Sequence, residues 1–210
     1  LTFCRDGLIN GGWFTYPTEL SGGMGYGIQT TNSCYLEFFN LGGRKLRHLI
    51  DFSQSHHIKV YNSKATDCFN RAFDCHGITE HDIEFIDCDG DYIFSNGVAE
   101  FASVVENITI VRGVVRGMSI GSVKNLHLKE VDVKHLFFYA DVLNNFKAEN
   151  CQIAYTEKAS RSATYNARGY FESDGYFEMI NCHFDFKNLG EPRILSFNNY
   201  RDVVIRGNRI

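Results

Sequence analysis

The sequence predicts an all-β fold: a right-handed parallel β-helix, a single-stranded solenoid of about eight coils. Three observations predict it. A short pattern of apolar, any, apolar, any residue and then a turn former begins at Leu36, Ile58, Ile83, Ile108, Leu126, Phe146, Phe177 and Val203. Within each copy the apolar residues alternate with period two, which is the period of a strand and not of a helix. The composition, with 18 Phe, 11 Tyr, 19 Gly and only 2 Pro in 210 residues, suits strands joined by tight corners. Successive copies stand 18 to 31 residues apart. A spacing of roughly 20 to 30 residues built on strands marks coils that stack on one another.

Taken in order, the first 25 residues fit the alternation least, with Gly7, Gly11, Gly12, Gly22, Gly23 and Trp13, and are expected to hold one irregular coil. The second coil of the repeat divides into three strands, over 49–53, 58–60 and 63–65. The coil after it divides at 72–76, 83–85 and a short piece from Cys88. The corner between second and third strands is always one or two residues long. Asn62, Asp87, Asn150 and Asn181 stand there because Asn and Asp accept a left-handed backbone and can bond to their equivalents one coil away. Cys88, Cys151 and Cys182 each follow that corner residue, where Ser63 and Gly113 also stand. These are read as small, inward, reduced thiols and not as a disulfide framework. Variation in coil length is expected to protrude as loops at 89–97, 156–168 and 187–193, the usual place for recognition. The chain reads as one β-helix segment over 1–210, cut at both ends.

The net charge of −4 gives no electrostatic footprint for nucleic acid or an anionic membrane, and no apolar run is long enough for a transmembrane helix. No CxxC pair suggests zinc. No metal site and no cofactor are expected, a divalent cation being the one ion compatible with the acidic residues.

Stacking brings distant residues together. If Ile50, Phe52, Phe73 and Cys75 point inward, Asp51 and Asp74 point outward in one column of adjacent coils, their backbones about 4.8 Å apart. Gln29 is expected below them and Glu100 above, with Ser119, Asp141 and Glu172 farther up. A carboxylate separation of about 5 Å is what a retaining glycosidase requires; a solvated acidic face is the plain alternative. Ser53 and His76 form the next outward column, and His76 is a candidate general base. The corner Glu80-His81-Asp82 reads either as part of this site or as side chains capping exposed backbone groups. His56-His57 sits at the equivalent corner one coil below. Spacing alone does not make these imidazoles a metal site.

The stretches Arg47-His48-Leu49-Ile50-Asp51, Val60-Tyr61-Asn62-Ser63-Lys64-Ala65 and Ala72-Phe73-Asp74-Cys75-His76-Gly77, with Glu80-His81-Asp82-Ile83, resemble the pectate-lyase-like β-helix module of phage tail spikes and appendages, nearest to those of phages of Gram-positive bacteria. The match covers 44–91, and the rest agrees only in its repeat. The resemblance implies a virion tail or appendage protein, folded in the host cytoplasm, trimeric and in contact with other virion proteins. It would bind, and in many members cleave, a host surface polysaccharide or teichoic acid. Asp51, Asp74 and His76 are then the catalytic candidates. Arg47, His48, Glu80, His81, Asp82 and Glu100 are the binding candidates, with Tyr26, Tyr139 and Tyr170 available to stack on sugar rings. A glycan-binding or structural shaft without catalysis, and a bacterial polysaccharide lyase or epimerase, remain open beside it.

Overall fold

The computed structural model describes residues 1–16, 25–75, 79–94, 104–134, 139–154, 164–166, 175–185 and 196–209. Among these there are strands and corners and no helix. Among the described residues every strand pairing is parallel, and on the second face the inner strands pair with their equivalents in the coils before and after. The result is three faces of stacked strands around one apolar core.

The second face carries the predicted ladder. Gly7, Leu36, Ile58, Ile83, Ile108, Leu126, Phe146, Phe177 and Val203 are successive partners in the register. From Leu36 to Phe177 all are at most 2% exposed, whereas Val203, with a described coil on one side only, is 44% exposed. Two residues on, a second inward column runs Ile9, Phe38, Val60, Phe85, Ile110, Leu128, Ala148, Met179 and Ile205. The first face contributes Ile50, Phe73 and Tyr92, and the rings of Phe73, Phe85 and Tyr92 lie 5.0–5.1 Å apart, joining the two faces through aromatic contact.

The corner between second and third faces is left-handed throughout. Asn40, Asn62, Asp87, Arg112, Glu130, Asn150 and Asn181 all have φ between 43° and 56°, and Gly207 has 69°. Asn62 donates to Asn40, which donates to Asn10, at 2.7 and 2.9 Å, and the Arg112 guanidinium forks onto Asp87. The residue after the corner is inward, yet the place is not uniformly small, because Leu41 and Val131 occupy it as well as Ser63, Cys88, Cys151 and Cys182. Its polar members share one device: Ser63, Cys88, Cys151 and Cys182 each donate to the carbonyl two residues back. None of the seven cysteines is in a disulfide.

Arg5–Thr15 takes the ordinary register against Cys34–Arg44, while residues 17–24 of the coil expected to be irregular lie outside the described residues. One expectation is corrected. Asp89–Phe94, expected within a loop, is a strand that begins on the third face and ends on the first. Its alternating Gly90, Tyr92 and Phe94 point into the core. The expected loops at 156–163 and 187–193 lie outside the described residues, while Thr164–Asn166 is a short strand.

Candidate functional site

On the first face Gln29, Asp51, Asp74, Ile93 and Ser119 form the outer column, and Tyr139 is the next register partner of Ser119. Asp51 and Asp74 are in register as expected, with Gln29 below. Ile93, not Glu100, stands above Asp74, and Tyr139, not Asp141, follows Ser119. Glu100, His76, Tyr170 and Glu172 lie outside the described residues.

The aspartates do not form a solvated face. Asp51 is 1% exposed, Asp74 2% and His48 0%. The strand is locally irregular beside them: the amides of Leu49 and Ile50 both donate to the Ala72 carbonyl, and both side chains are fully buried. His48 lies against Asp74, its Nε2 3.1 Å from Oδ2. A carbonyl oxygen only accepts, so His48 Nδ1–H donates to that of Arg71, at 2.8 Å. The Arg47 Nε–H also approaches His48 Nε2, at 3.2 Å. A proton on Nε2 therefore decides between an ion pair with Asp74 and a bond accepted from Arg47. Gln29 donates to Asp51 at 2.8 Å, and Arg71 donates to Ser119 at 3.2 Å. Tyr26 packs on His48, ring centroids 5.3 Å apart, with the Arg47 guanidinium 5.6 Å from its ring centre. Burial, assisted by Asp51 and Asp74, pushes the Tyr26 phenol above its ordinary value against the pull of Arg47.

The corner cluster separates into two roles. Glu80 is fully buried and its carboxylate accepts the Gln54 backbone N–H, so it caps backbone as the plain reading required. His81 and Asp82 are half-exposed and meet the two histidines of the coil below. His56 and His81 are partners in the register, their rings stacked at 4.5 Å and 8°. His56 Nδ1 is 2.7 Å from His57 Nδ1. Asp82 Oδ2 is 2.8 Å from His81 Nδ1 and 3.6 Å from His57 Nε2, while its Oδ1 accepts from Asn107 at 2.8 Å. Burial and then the neighbouring His81 and His57 hold His56 below its ordinary value. Burial pushes Asp82 up, but the bonds from His81 and Asn107 outweigh it and leave the carboxyl below the usual range.

Beside this corner an open groove of about 710 Å³ crosses the coils along the outside of the second face. Asp6, Tyr35, His57, Asp82 and Asn107 line its corner edge, and Leu8, Glu37, Lys59, Glu84 and Thr109 its floor. Lys59 pairs with Glu84 at 3.5 Å. Of these residues only Asp82 was a site candidate from the sequence, with His57 noted at the equivalent corner one coil below. The signal was available, since each floor residue directly follows a member of the inward ladder. All five edge residues also share a left-handed φ of 54° to 57°, a second regular corner that Asp6, Asp82 and Asn107 advertise by residue type and Tyr35 and His57 do not.

No family model matches the chain, and no curated protein matches it. Among solved structures it is similar to a tailspike protein of the Acinetobacter baumannii bacteriophage Fri1, described as a capsular polysaccharide depolymerase. The identity is 14% and the TM-score 0.44, over 99% of this chain and 42% of the other; the chain thus spans less than half the length of that protein. At those values the likeness bears on neither activity nor substrate.

Proposed function

We propose that the chain is a right-handed β-helix segment of a phage tail spike or appendage, and that it binds a host surface polysaccharide along the second-face groove. Right-handedness follows from the general preference of parallel crossovers. The observation that carries the binding reading is the groove itself, which is open, spans coils through Asp6, Tyr35, His57, Asp82 and Asn107, and offers an aromatic ring among polar side chains. A solenoid presents such extended surfaces because equivalent residues repeat from coil to coil. Four carboxylates, those of Asp6, Glu37, Asp82 and Glu84, line it against the single ammonium of Lys59. That balance favours a neutral or amino-sugar glycan over a phosphate-linked teichoic acid, whose charge the groove would repel. The resemblance of 44–91 to the tail-spike module supports the same class of ligand and a virion location, with three chains associated in the assembled protein.

Cleavage is the second reading, favoured by the register of Asp51 on Asp74. It requires the two carboxylates to become accessible, because both are buried. Binding of purified host surface polysaccharides, followed by product analysis, tests both readings. Tyr35→Ala and Glu84→Lys should weaken binding about tenfold or more, in keeping with the weight of central aromatic and charged contacts. Unchanged affinity in both variants would remove the groove from the account. Product formation that Asp51→Asn and Asp74→Asn abolish, with binding retained, would establish the second reading.

A further inference from the structure

We infer that His56, His57 and His81 form a binding site for a divalent transition-metal ion of the zinc class, at the corner joining the first and second faces. The fold puts the three imidazoles together by two separate devices. Register stacks His81 over His56, one coil apart. Neighbours along a strand ordinarily point to opposite faces, but the left-handed φ of 54° at His57 turns its ring back onto His56. One ring nitrogen from each of the three lies within 4.8 Å of the others. A tetrahedral zinc site with Zn–N bonds of about 2.0–2.1 Å spaces its nitrogens by about 3.4 Å, so the widest pair must close by about 1.4 Å at most, while the Nδ1 atoms of His56 and His57, 2.7 Å apart, must open by about 0.7 Å if both bind through them.

Half-exposed side chains can supply that movement. The rings of His56 and His81 are stacked nearly parallel, so their in-plane lone pairs cannot meet at one ion within bonding distance unless one ring turns, and that ring is His56. Asp82 holds His81 in place: with Nδ1–H bonded to its carboxylate, the lone pair of Nε2 is left for the metal. Asn107 fixes that carboxylate in turn. Three imidazoles and an orienting carboxylate suit zinc, nickel or copper, whereas calcium and magnesium require oxygen ligands. His57 and Asp82 line the groove, so the site adjoins it. The site stands whether or not the groove takes a glycan.

Calorimetric titration of the untagged protein with Zn²⁺, and of a second sample with Co²⁺ followed by visible absorption, tests the inference. Saturable one-to-one binding is expected, with a tetrahedral cobalt spectrum. His81→Ala and His57→Asn should each weaken it by at least about tenfold, as Asp82→Asn should through the orientation of His81. Asn already holds the place of His57 at positions 107 and 125, so that variant keeps the corner conformation. His127→Ala, elsewhere on the second face, should bind as wild type. Absence of saturable binding, or binding that His57→Asn and His81→Ala leave unchanged, would overturn the site.

Discussion

Removing His48 or Asp74 should destabilise the coil stack far more than removing an exposed pair of the same chemical kind. The His48 and Asp74 side chains are 0% and 3% exposed, and their facing atoms are 3.1 Å apart. Truncating one partner of a buried pair leaves the other desolvated, which costs about 3–5 kcal/mol. By contrast Arg44 and Asp67, 2.8 Å apart but 59% and 58% exposed, sit where such pairs are worth less than about 1 kcal/mol. For a domain of this size 1 kcal/mol moves the melting temperature by about 2–4 °C. His48→Ala or Asp74→Ala should therefore lower it by roughly 6–20 °C, and Asp67→Ala by less than about 4 °C. The assay is urea and thermal unfolding followed by circular dichroism for the two single variants and the double. Because the residues touch, the double variant should cost clearly less than the sum of the singles. Strict additivity, or losses as small as that of Asp67→Ala, would refute the reading of a buried, interdependent pair.

Ile83→Ala, at a site 1% exposed between Ile58 and Ile108, should cost about 2–5 kcal/mol in unfolding free energy, whereas Val203→Ala, in the same ladder but 44% exposed, should cost about 1 kcal/mol. Gly113→Ala should destabilise by about 1–3 kcal/mol, because an added Cβ would lie 2.6 Å from the Cys88 carbonyl oxygen, a backbone atom that cannot swing away. Asp89 is drawn upward by burial, but Arg116 and Lys64 outweigh this and hold its carboxyl below the usual range. A folded value below the unfolded one stabilises above the unfolded value near 3.9 and is lost as pH falls toward the folded value, so Arg116→Ala should flatten the acid limb of the stability curve. Burial pushes the Cys88 thiol up to about 12, so native thiol titration should label it far more slowly than Cys4 or Cys34.

The inward ladder was legible in the sequence because its residues repeat at one place in every coil, and a solenoid turns such a repeat directly into contact. The left-handed corner at Asn62, Asp87 and Asn181 was legible for the same reason, since Asn and Asp are the residues that conformation favours. The other corner has the same backbone yet carries Tyr35 and His57, whose types do not announce it, and so the groove edge stayed hidden. Asp51 and Asp74 were placed in the right column by alternation. Their burial was not legible, because period two gives the side of a strand and not what covers that side. Glu80 reads like a surface acid until the uncapped amide of Gln54, one coil below, is seen to need it.

Hydroxyl-radical footprinting with and without a bound host surface polysaccharide tests the central claim most directly. Tyr35 and His57 line the groove, while Trp13, 70% exposed, lies on the third face opposite Gly42. The account predicts that the polysaccharide protects Tyr35 and His57 from oxidation and leaves Trp13 as reactive as in the free protein. Protection of Trp13 with Tyr35 and His57 unchanged would place the ligand on another face and contradict it.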